Sequence, residues 1–558
     1  MDLLQPFLMA SIINNGIMTG DLQHIQSTGL WMILVAFIGL LGGVGCTIFS
    51  TFASQGFGMD LRDSLFTKVQ SFSFRNLDQL KIGSLITRMT NDVMQVQNFV
   101  MMLLRSFVRS PLLFIGSLIM AISISPGLTL ILAIGVPLLV VLLAVIIKKS
   151  FPLFTKVQDR LDNVNNVLQE NLSGIRVIKA FVRSAYERSR FAKANEEYTS
   201  IAITAARLMA LTMPILTLVL NASIVAVLWY GGLLNRDGIL PAGDLVAFLN
   251  YVTQLLFALL FISNMLSFLS RAKVSADRVN EVLHTTSELV EAPAAATAAI
   301  HSGEVTFERV SFGYDQLGGE LVLNDISFQA EPGQTIAILG ATGSGKSSLV
   351  SLIPRLYDPA AGRVLIDGID VKSMSMDHLR SQIGMVLQKA ILFSGTIRDN
   401  IAFGRPEATQ EEVEAAARAA EAHDFIMQMP DGYLTRLGQR GVNLSGGQKQ
   451  RLSIARALLM SPRILILDDS TSAVDLGTES RIQRALRELM NRSTNIIIAQ
   501  RISSVVDADQ ILVLNDNGTL AAKGTHEELL KTNSIYMDIY RSQWKEEDEH
   551  VRSQSIRS

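Results

Sequence analysis

Long apolar runs dominate the first half of the chain. They extend approximately from Leu30 to Phe52, Ser110 to Ile124, Leu128 to Ile147, Leu208 to Leu234 and Leu245 to Leu269. A bilayer core of about 30 Å takes roughly 20 helical residues, so each run predicts a membrane-crossing helix, the Ser110 run together with its cytoplasmic lead-in. A sixth candidate, DLLQPFLMASIINNGI at the start, is too short to span as it stands. Between the runs, VQDRLDNVNNVLQENLSGIRVIKAF repeats apolar residues at three and four, the spacing of one helix face. This fits helices that pack within the loops, or membrane helices that continue well into the cytoplasm and touch the second half. Past Leu269 a charged helical stretch leads to EAPAAATAAI, and from about His301 short β-rich runs alternate with helical ones, the pattern of an α/β domain. The expected division is a membrane domain over 1–285, a linker over 286–302, an α/β domain over 303–545 and a charged tail over 546–558.

Composition agrees with a membrane domain fused to a soluble one: 49% of residues are hydrophobic and the mean hydropathy is +0.31. A formal charge of -2 implies no nucleic-acid partner. The single cysteine, Cys46, excludes an intrachain disulfide, and no signal peptide with a basic start and a small-residue cleavage site is visible. Lys and Arg set the orientation. The loop after the first long run carries Arg62, Lys68, Arg75, Lys81 and Arg88, and ten more lie between Lys148 and Lys193, whereas Asn14 to Thr28 carries none. The basic loops are expected on the cytoplasmic side.

In the second half, GATGSGKSS from Gly340 to Ser348 sits between the apolar strand TIAILG and a helical LVSLIPRLY. It matches G-x-x-x-x-G-K-S in the strand-to-helix context that the chemistry requires. Its glycines let backbone N–H groups of Gly340, Ala341, Thr342, Gly343, Ser344 and Gly345 turn toward phosphate oxygens, and the helix N-terminus adds its positive end. Lys346 is placed to neutralise the β and γ phosphates, Ser347 to hold Mg²⁺, and Asp468, at the end of ILIL, to take the same ion directly or through water.

NLSGGQKQRLSIARAL, from Asn443 to Leu458, is the most specific run in the chain. With Tyr314, Gln388 and SAVD at Ser472 to Asp475, it closely resembles the nucleotide-binding domain of the ATP-binding cassette (ABC) family, from about Glu304 to Tyr540. The resemblance implies an all-α membrane domain of the exporter type, with long cytoplasmic helical extensions, fused to a cytoplasmic α/β P-loop nucleotide-binding domain. It implies that Tyr314 stacks on adenine and that Gln388 joins Mg²⁺ and the attacking water to the membrane domain. It also implies that Ser445, Gly446, Gly447 and Gln448 contact an ATP held by another subunit, which Asp475 meets. FRNLDQLKIGSLITRMTNDV and VIKAFVRSAYERSRF resemble the two cytoplasmic turns that dock on nucleotide domains, the second on the partner's.

Three positions depart from the family pattern. Asp469 stands where active members have Glu, Gln500 where they have a switch histidine, and Gln439 where many have an acid. Asp is one methylene shorter than Glu, and a misplacement of about 1 Å can cost on the order of 100-fold in rate. Glutamine donates a hydrogen bond but cannot carry the charge of a protonated imidazole. Both changes fall in the site on this chain's own phosphate loop, while LSGGQ, which serves the other site, is intact. This pattern resembles the degenerate-site subunit of bacterial heterodimeric multidrug exporters; a homodimer with slow hydrolysis and a nucleotide-gated conduit are the alternatives.

The last two spans carry Asn221, Trp229, Tyr230, Phe248, Asn250, Tyr251, Gln254, Phe257, Phe261 and Asn264 with almost no charge, which suits hydrophobic or amphipathic small molecules or plain helix packing. Relative to the family the N-terminus looks short. The expected location is a bacterial plasma membrane.

Overall fold

The computed structural model describes residues 1–289, 300–314, 319–472 and 474–543. Most of the expected linker, the charged tail and the alanine of SAVD lie outside them, as does the side chain of Asn264. The chain forms two compact units, Met1–Val69 with Gly83–His284, and Gln70–Ile82 with Thr285 onward.

Among the described residues of the membrane unit five helices are long and apolar enough to cross a bilayer: Leu22–Gln70, Ile82–Ile124, Pro126–Ser173, Ser184–Arg236 and the Ala242–Leu259 part of Ala242–His284. Each of the first four contains one of the expected runs, and the full helix Ala242–His284 contains the fifth. The 48 residues of Pro126–Ser173 make a rod of about 72 Å, more than twice the hydrocarbon thickness, so the extensions read from the three-and-four spacing are present. Aromatic and aliphatic side chains of the first long helix face outward, Trp31 at 61%, Phe49 at 74% and Phe52 at 72% exposure, as a lipid-facing surface requires. The interior is sealed by Leu128, Leu132, Leu139, Phe248, Tyr251 and Leu255. The connection expected over Asn14 to Thr28 is shorter than the sequence suggested. Ile12–Ile17 is a π-helix, and the next helix starts at Leu22 because the Asp21 carboxylate accepts the His24 N–H at 3.0 Å.

Among its described residues the second unit holds two sheets and a short ribbon. Its strands are β1 (Val305–Phe312), β2 (Leu323–Ala330), β3 (Thr335–Gly340), β4 (Ala361–Ile366), β5 (Ile369–Asp370), β6 (Ile383–Val386), β7 (Gly395–Thr396), β8 (Arg436–Leu437), β9 (Ile464–Asp468), β10 (Thr494–Ile498), β11 (Gln510–Leu514) and β12 (Leu520–Gly524). An antiparallel sheet has the order β2-β1-β4-β5, and the main sheet the order β12-β11-β3-β10-β9-β6, parallel from β11 to β6. The strand ILILD of β9 is buried at every position, as a parallel strand covered on both faces must be.

The segment Gln70–Ile82 belongs to this unit. Ser73 and Asn76 form a capping box that starts the helix Phe74–Leu80. Arg75 pairs with Glu288 at 3.0 Å and donates to the Gly313 carbonyl at 3.2 Å, Asn76 donates to the Thr286 carbonyl at 3.3 Å, and the Tyr357 hydroxyl donates to Asp78 at 2.8 Å. The first of the two expected docking turns thus packs on the nucleotide domain of its own chain.

Candidate functional site

Four neighbouring parallel strands deliver the site. β3, β10, β9 and β6 lie side by side, and at their carboxyl ends the chain enters the phosphate loop, Gln500, the Asp468–Asp469 pair and Gln388 respectively. This is where open parallel sheets bind ligands.

The loop turns sharply out of β3. Gly343 and Gly345 have φ of 91° and 90°, the left-handed region that glycine enters without steric cost. A Cβ on Gly345 would also lie 2.8 Å from Leu323 Cδ2 and 2.9 Å from the Val322 carbonyl. Lys346 Nζ donates to the Gly340 and Ala341 carbonyls at 2.9 and 2.7 Å, which holds the ammonium at the loop. Burial lowers its pKa, and the charges of Asp468 and Asp469 oppose that shift. Ser347 Oγ donates to Asp468 Oδ1 at 3.1 Å. Burial raises the pKa of Asp468 and Asp469 adds to the rise, against the Ser347 hydrogen bond and Lys346. A buried Ser344 hydroxyl has no hydrogen-bond partner among the described residues. Among them no group of three His, Cys, Asp or Glu forms a self-contained metal site. A hydroxyl beside a carboxylate instead suits a hard cation that takes its other ligands from phosphate and water.

Asp469 is 8% exposed, and its backbone takes φ of 46°, a conformation that Asp tolerates better than most residues. Its N–H donates to the Ile498 carbonyl at 3.0 Å. Gln388 Nε2 and Gln500 Nε2 both donate to the same oxygen, Oδ2, at 3.1 and 2.8 Å. A carboxylate oxygen has two lone pairs, so Oδ2 is fully engaged. Sequence reading placed these three residues at one site but did not foresee that both amides converge on one oxygen.

Tyr314 is 48% exposed, packs edge-on against Phe312 and Tyr357 at 5.1 and 5.5 Å, and shares a hydrogen bond of 2.9 Å with Ser348. The remaining expected ligands lie apart. Ser445 caps the helix Gly446–Leu459 in a capping box with Gln448, and Gly446 opens onto free space. Asp475 caps the helix Leu476–Leu489 through the Thr478 N–H at 2.9 Å. No hydrogen bond joins them to the phosphate loop among the described residues.

Two residues escaped the sequence reading. Glu479, 4% exposed, accepts from Thr471 at 2.7 Å and from Ser504, and pairs with Arg501 at 3.2 Å. Its signal was a charge in register with the buried Ile482 and Leu486 on one helix stripe. Gln543 donates to the Gln500 carbonyl at 2.7 Å and accepts from the Ile502 N–H at 2.7 Å. A cavity of about 480 Å³ lies between Gly340, Lys346, Gln500, Asn515 and Gln543.

Comparison with known proteins matches the ABC transporter transmembrane region over residues 1–259 and the ABC transporter model over 323–472. The chain is 44% identical over 546 residues to YfiB, an ABC transporter ATP-binding protein of Bacillus subtilis, covering 98% of this chain and 94% of that one. It is 40% identical over 482 residues to a fatty acid ABC transporter ATP-binding/permease protein of Mycobacterium bovis, covering 86% and 76%. A solved structure of a bacterial Atm1-family ABC exporter with ATP bound superposes with a TM-score of 0.80 at 29% identity, over 97% of this chain and 95% of that one. The chain therefore belongs to the ABC transporter family, as an ATP-driven, multi-pass membrane exporter whose nucleotide-binding domain is cytoplasmic.

Proposed function

We propose that this chain is the degenerate-site half of a heterodimer that exports hydrophobic or amphipathic small molecules, drugs or lipid-like compounds, across the bacterial plasma membrane. The observation that carries the reading is the Asp469 carboxylate, whose Oδ2 is taken by Gln388 and Gln500. A general base must present a lone pair to water in line with the phosphate. Here one oxygen is saturated and the side chain is a methylene shorter than Glu. Gln500 adds a donor but no positive charge.

In this reading the backbone of Gly340 to Gly345 and the Lys346 ammonium hold the phosphates, Ser348 anchors the helix behind them and Tyr314 supplies an aromatic face for adenine. Ser347, Asp468 and the Oε1 of Gln388 hold Mg²⁺, which when bound spreads the phosphate charge. Ser445, Gly446, Gly447, Gln448 and Asp475 serve the site on the partner's phosphate loop. The turn at Phe181 and Val182, 74% and 85% exposed, supports a second docking contact made on the partner rather than on this chain. The relative named as a fatty acid transporter supports a lipid-like substrate.

The test is ATPase activity of the purified chain alone against the chain coexpressed with its partner half. We expect activity at least ten-fold higher with the partner. Full activity alone overturns the reading in favour of a homodimer with Asp469 as its base, and uphill ATP-dependent transport in inverted vesicles separates a pump from a nucleotide-gated conduit.

A further inference from the structure

The helix Leu476–Leu489 starts on its Asp475 cap and carries Glu479, Gln483 and Arg487 at intervals of four, along one stripe of its surface. Each member of the stripe holds the segment that follows Gln500. Glu479 pairs with Arg501 at 3.2 Å and accepts from the Ser504 hydroxyl. Gln483 Nε2 donates to the Ser504 carbonyl at 3.3 Å, and Arg487 pairs with Asp507.

Glu479 differs from the other two in its burial and its reach. It is 4% exposed, whereas the Arg487 side chain is half exposed. A buried carboxylate is costly unless its oxygens are engaged. Here Oε1 accepts from the Thr471 hydroxyl at 2.7 Å and from Ser504, and Oε2 meets Arg501. Its place in the first helical turn, near the positive end of the helix, offsets part of that cost. Thr471 lies two residues after Asp469, and Arg501 directly follows Gln500. One carboxylate therefore ties the loop that carries Asp469 to the loop that carries Gln500, whose side chains meet at 2.8 Å.

Helix formation alone asks for less. The helix already has a cap in Asp475 and an apolar stripe in Ile482 and Leu486, so alanine at 479 would leave its start and its packing in place. What alanine would lose is the fixed spacing of two loops at a reacting centre, where a misplacement of about 1 Å can cost on the order of 100-fold. We propose that Glu479 is a positioning residue that sets the Asp469–Gln500 geometry and, through Gln500, the hold of this site on the terminal phosphate of its nucleotide. The proposal concerns this chain's own phosphate loop and is the same for a different partner half or a second copy, so its failure leaves the heterodimer reading standing.

The experiment measures the affinities of ADP and of AMP-PNP, which adds a terminal phosphate, for the purified full chain in nanodiscs with Mg²⁺. The ratio of the two isolates the terminal phosphate. Glu479→Ala should lower the AMP-PNP-to-ADP ratio about five-fold, the scale of one hydrogen bond, with ADP affinity changed less than about two-fold. Glu479→Gln, which keeps an oxygen for the two hydroxyls but loses the ion pair, should fall between. On a Gln500→Ala background, Glu479→Ala should change the ratio little, because residues that act through one another are not additive. Ser504→Ala leaves the carboxylate and its other two partners in place, should lower the ratio about two-fold, and keeps the test decisive if Glu479→Ala does not fold. Equal weakening of ADP and AMP-PNP in Glu479→Ala would make the residue a plain scaffold and overturn the proposal. An unchanged ratio in Ser504→Ala would overturn it too, as would a further loss of about five-fold on top of Gln500→Ala.

Discussion

The nucleotide domain offers ATP two surfaces built on opposite principles. The phosphate-loop surface is partly buried and ties its charged side chains to groups of its own: Asp468 is held by Ser347, Asp469 by Gln388 and Gln500, and Lys346 by two loop carbonyls. The signature surface is an exposed helix start whose serine and glutamine cap only each other and whose Gly446 opens onto free space. In the proposed reading the first is organised to hold a nucleotide, the second to be completed by one that another chain holds. The division predicts that hydrolysis by the complex depends on the surface with no catalytic side chain of its own. Ser445→Ala, which removes one phosphate donor and the cap, should lower ATPase of the partnered complex on the order of 100-fold, the scale of losing a preorganised transition-state donor. Asp469→Asn should change it less than two-fold. The reverse ranking in steady-state phosphate release would break the comparison.

The same contrast can be erased from the other side. Asp469→Glu with Gln500→His restores the longer base and the chargeable switch residue and removes one of the two amide donors on the carboxylate. Turnover of the chain without its partner should rise about ten-fold, part of the order of 100-fold that a misplacement near 1 Å costs. Glu tolerates the φ of 46° at this position less readily than Asp does, so full recovery is not expected. No rise in single-turnover hydrolysis would place the defect beyond these two side chains.

How much of this was legible in the sequence divides along physical lines. The phosphate loop, Asp468 and the signature were readable because each is a local run in which backbone conformation and chemistry are set by neighbours in sequence. The long membrane helices were readable from period and length. The convergence of Gln388 and Gln500 on one oxygen was not, because it depends on the β6-β9-β10 order, which brings together residues 81 and 31 positions from Asp469.

Gln543 offers a finer test of how firmly the phosphate-loop surface is held. Its amide pairs with the backbone on both sides of Arg501, and Glu479 ties the same loop through Arg501 and Ser504. Gln543→Ala removes two partly exposed hydrogen bonds, each worth about 0.5 kcal/mol at the low end of the usual range. Amide exchange at Ile502 should accelerate about five-fold, with exchange in β10 unchanged. Uniform acceleration across both would show that the residue supports the whole domain rather than the switch loop.

The smallest effect should come from Asp468, and its sign separates ligand binding from stability. Burial raises the pKa of this carboxyl, the Asp469 charge adds to the rise, and the Ser347 hydrogen bond and Lys346 only partly oppose it. A carboxyl whose pKa is raised in the folded state binds more protons there than in the unfolded chain. Its contribution is therefore favourable below the unfolded pKa and is lost as pH rises through the folded one. At neutral pH the ionised Asp468 is a net cost to the nucleotide domain. Asp468→Asn should raise the melting temperature by about 2 °C, and the advantage should shrink as the pH falls toward the ordinary carboxylate range. Addition of ATP with Mg²⁺ should reverse the order, since a ligand that binds only the native state stabilises the variant that binds it better. EDTA should restore the original order. A variant less stable than wild type without ligand at neutral pH would mean that the Ser347 hydrogen bond outweighs burial, and that Asp468 belongs to the scaffold before it belongs to the nucleotide.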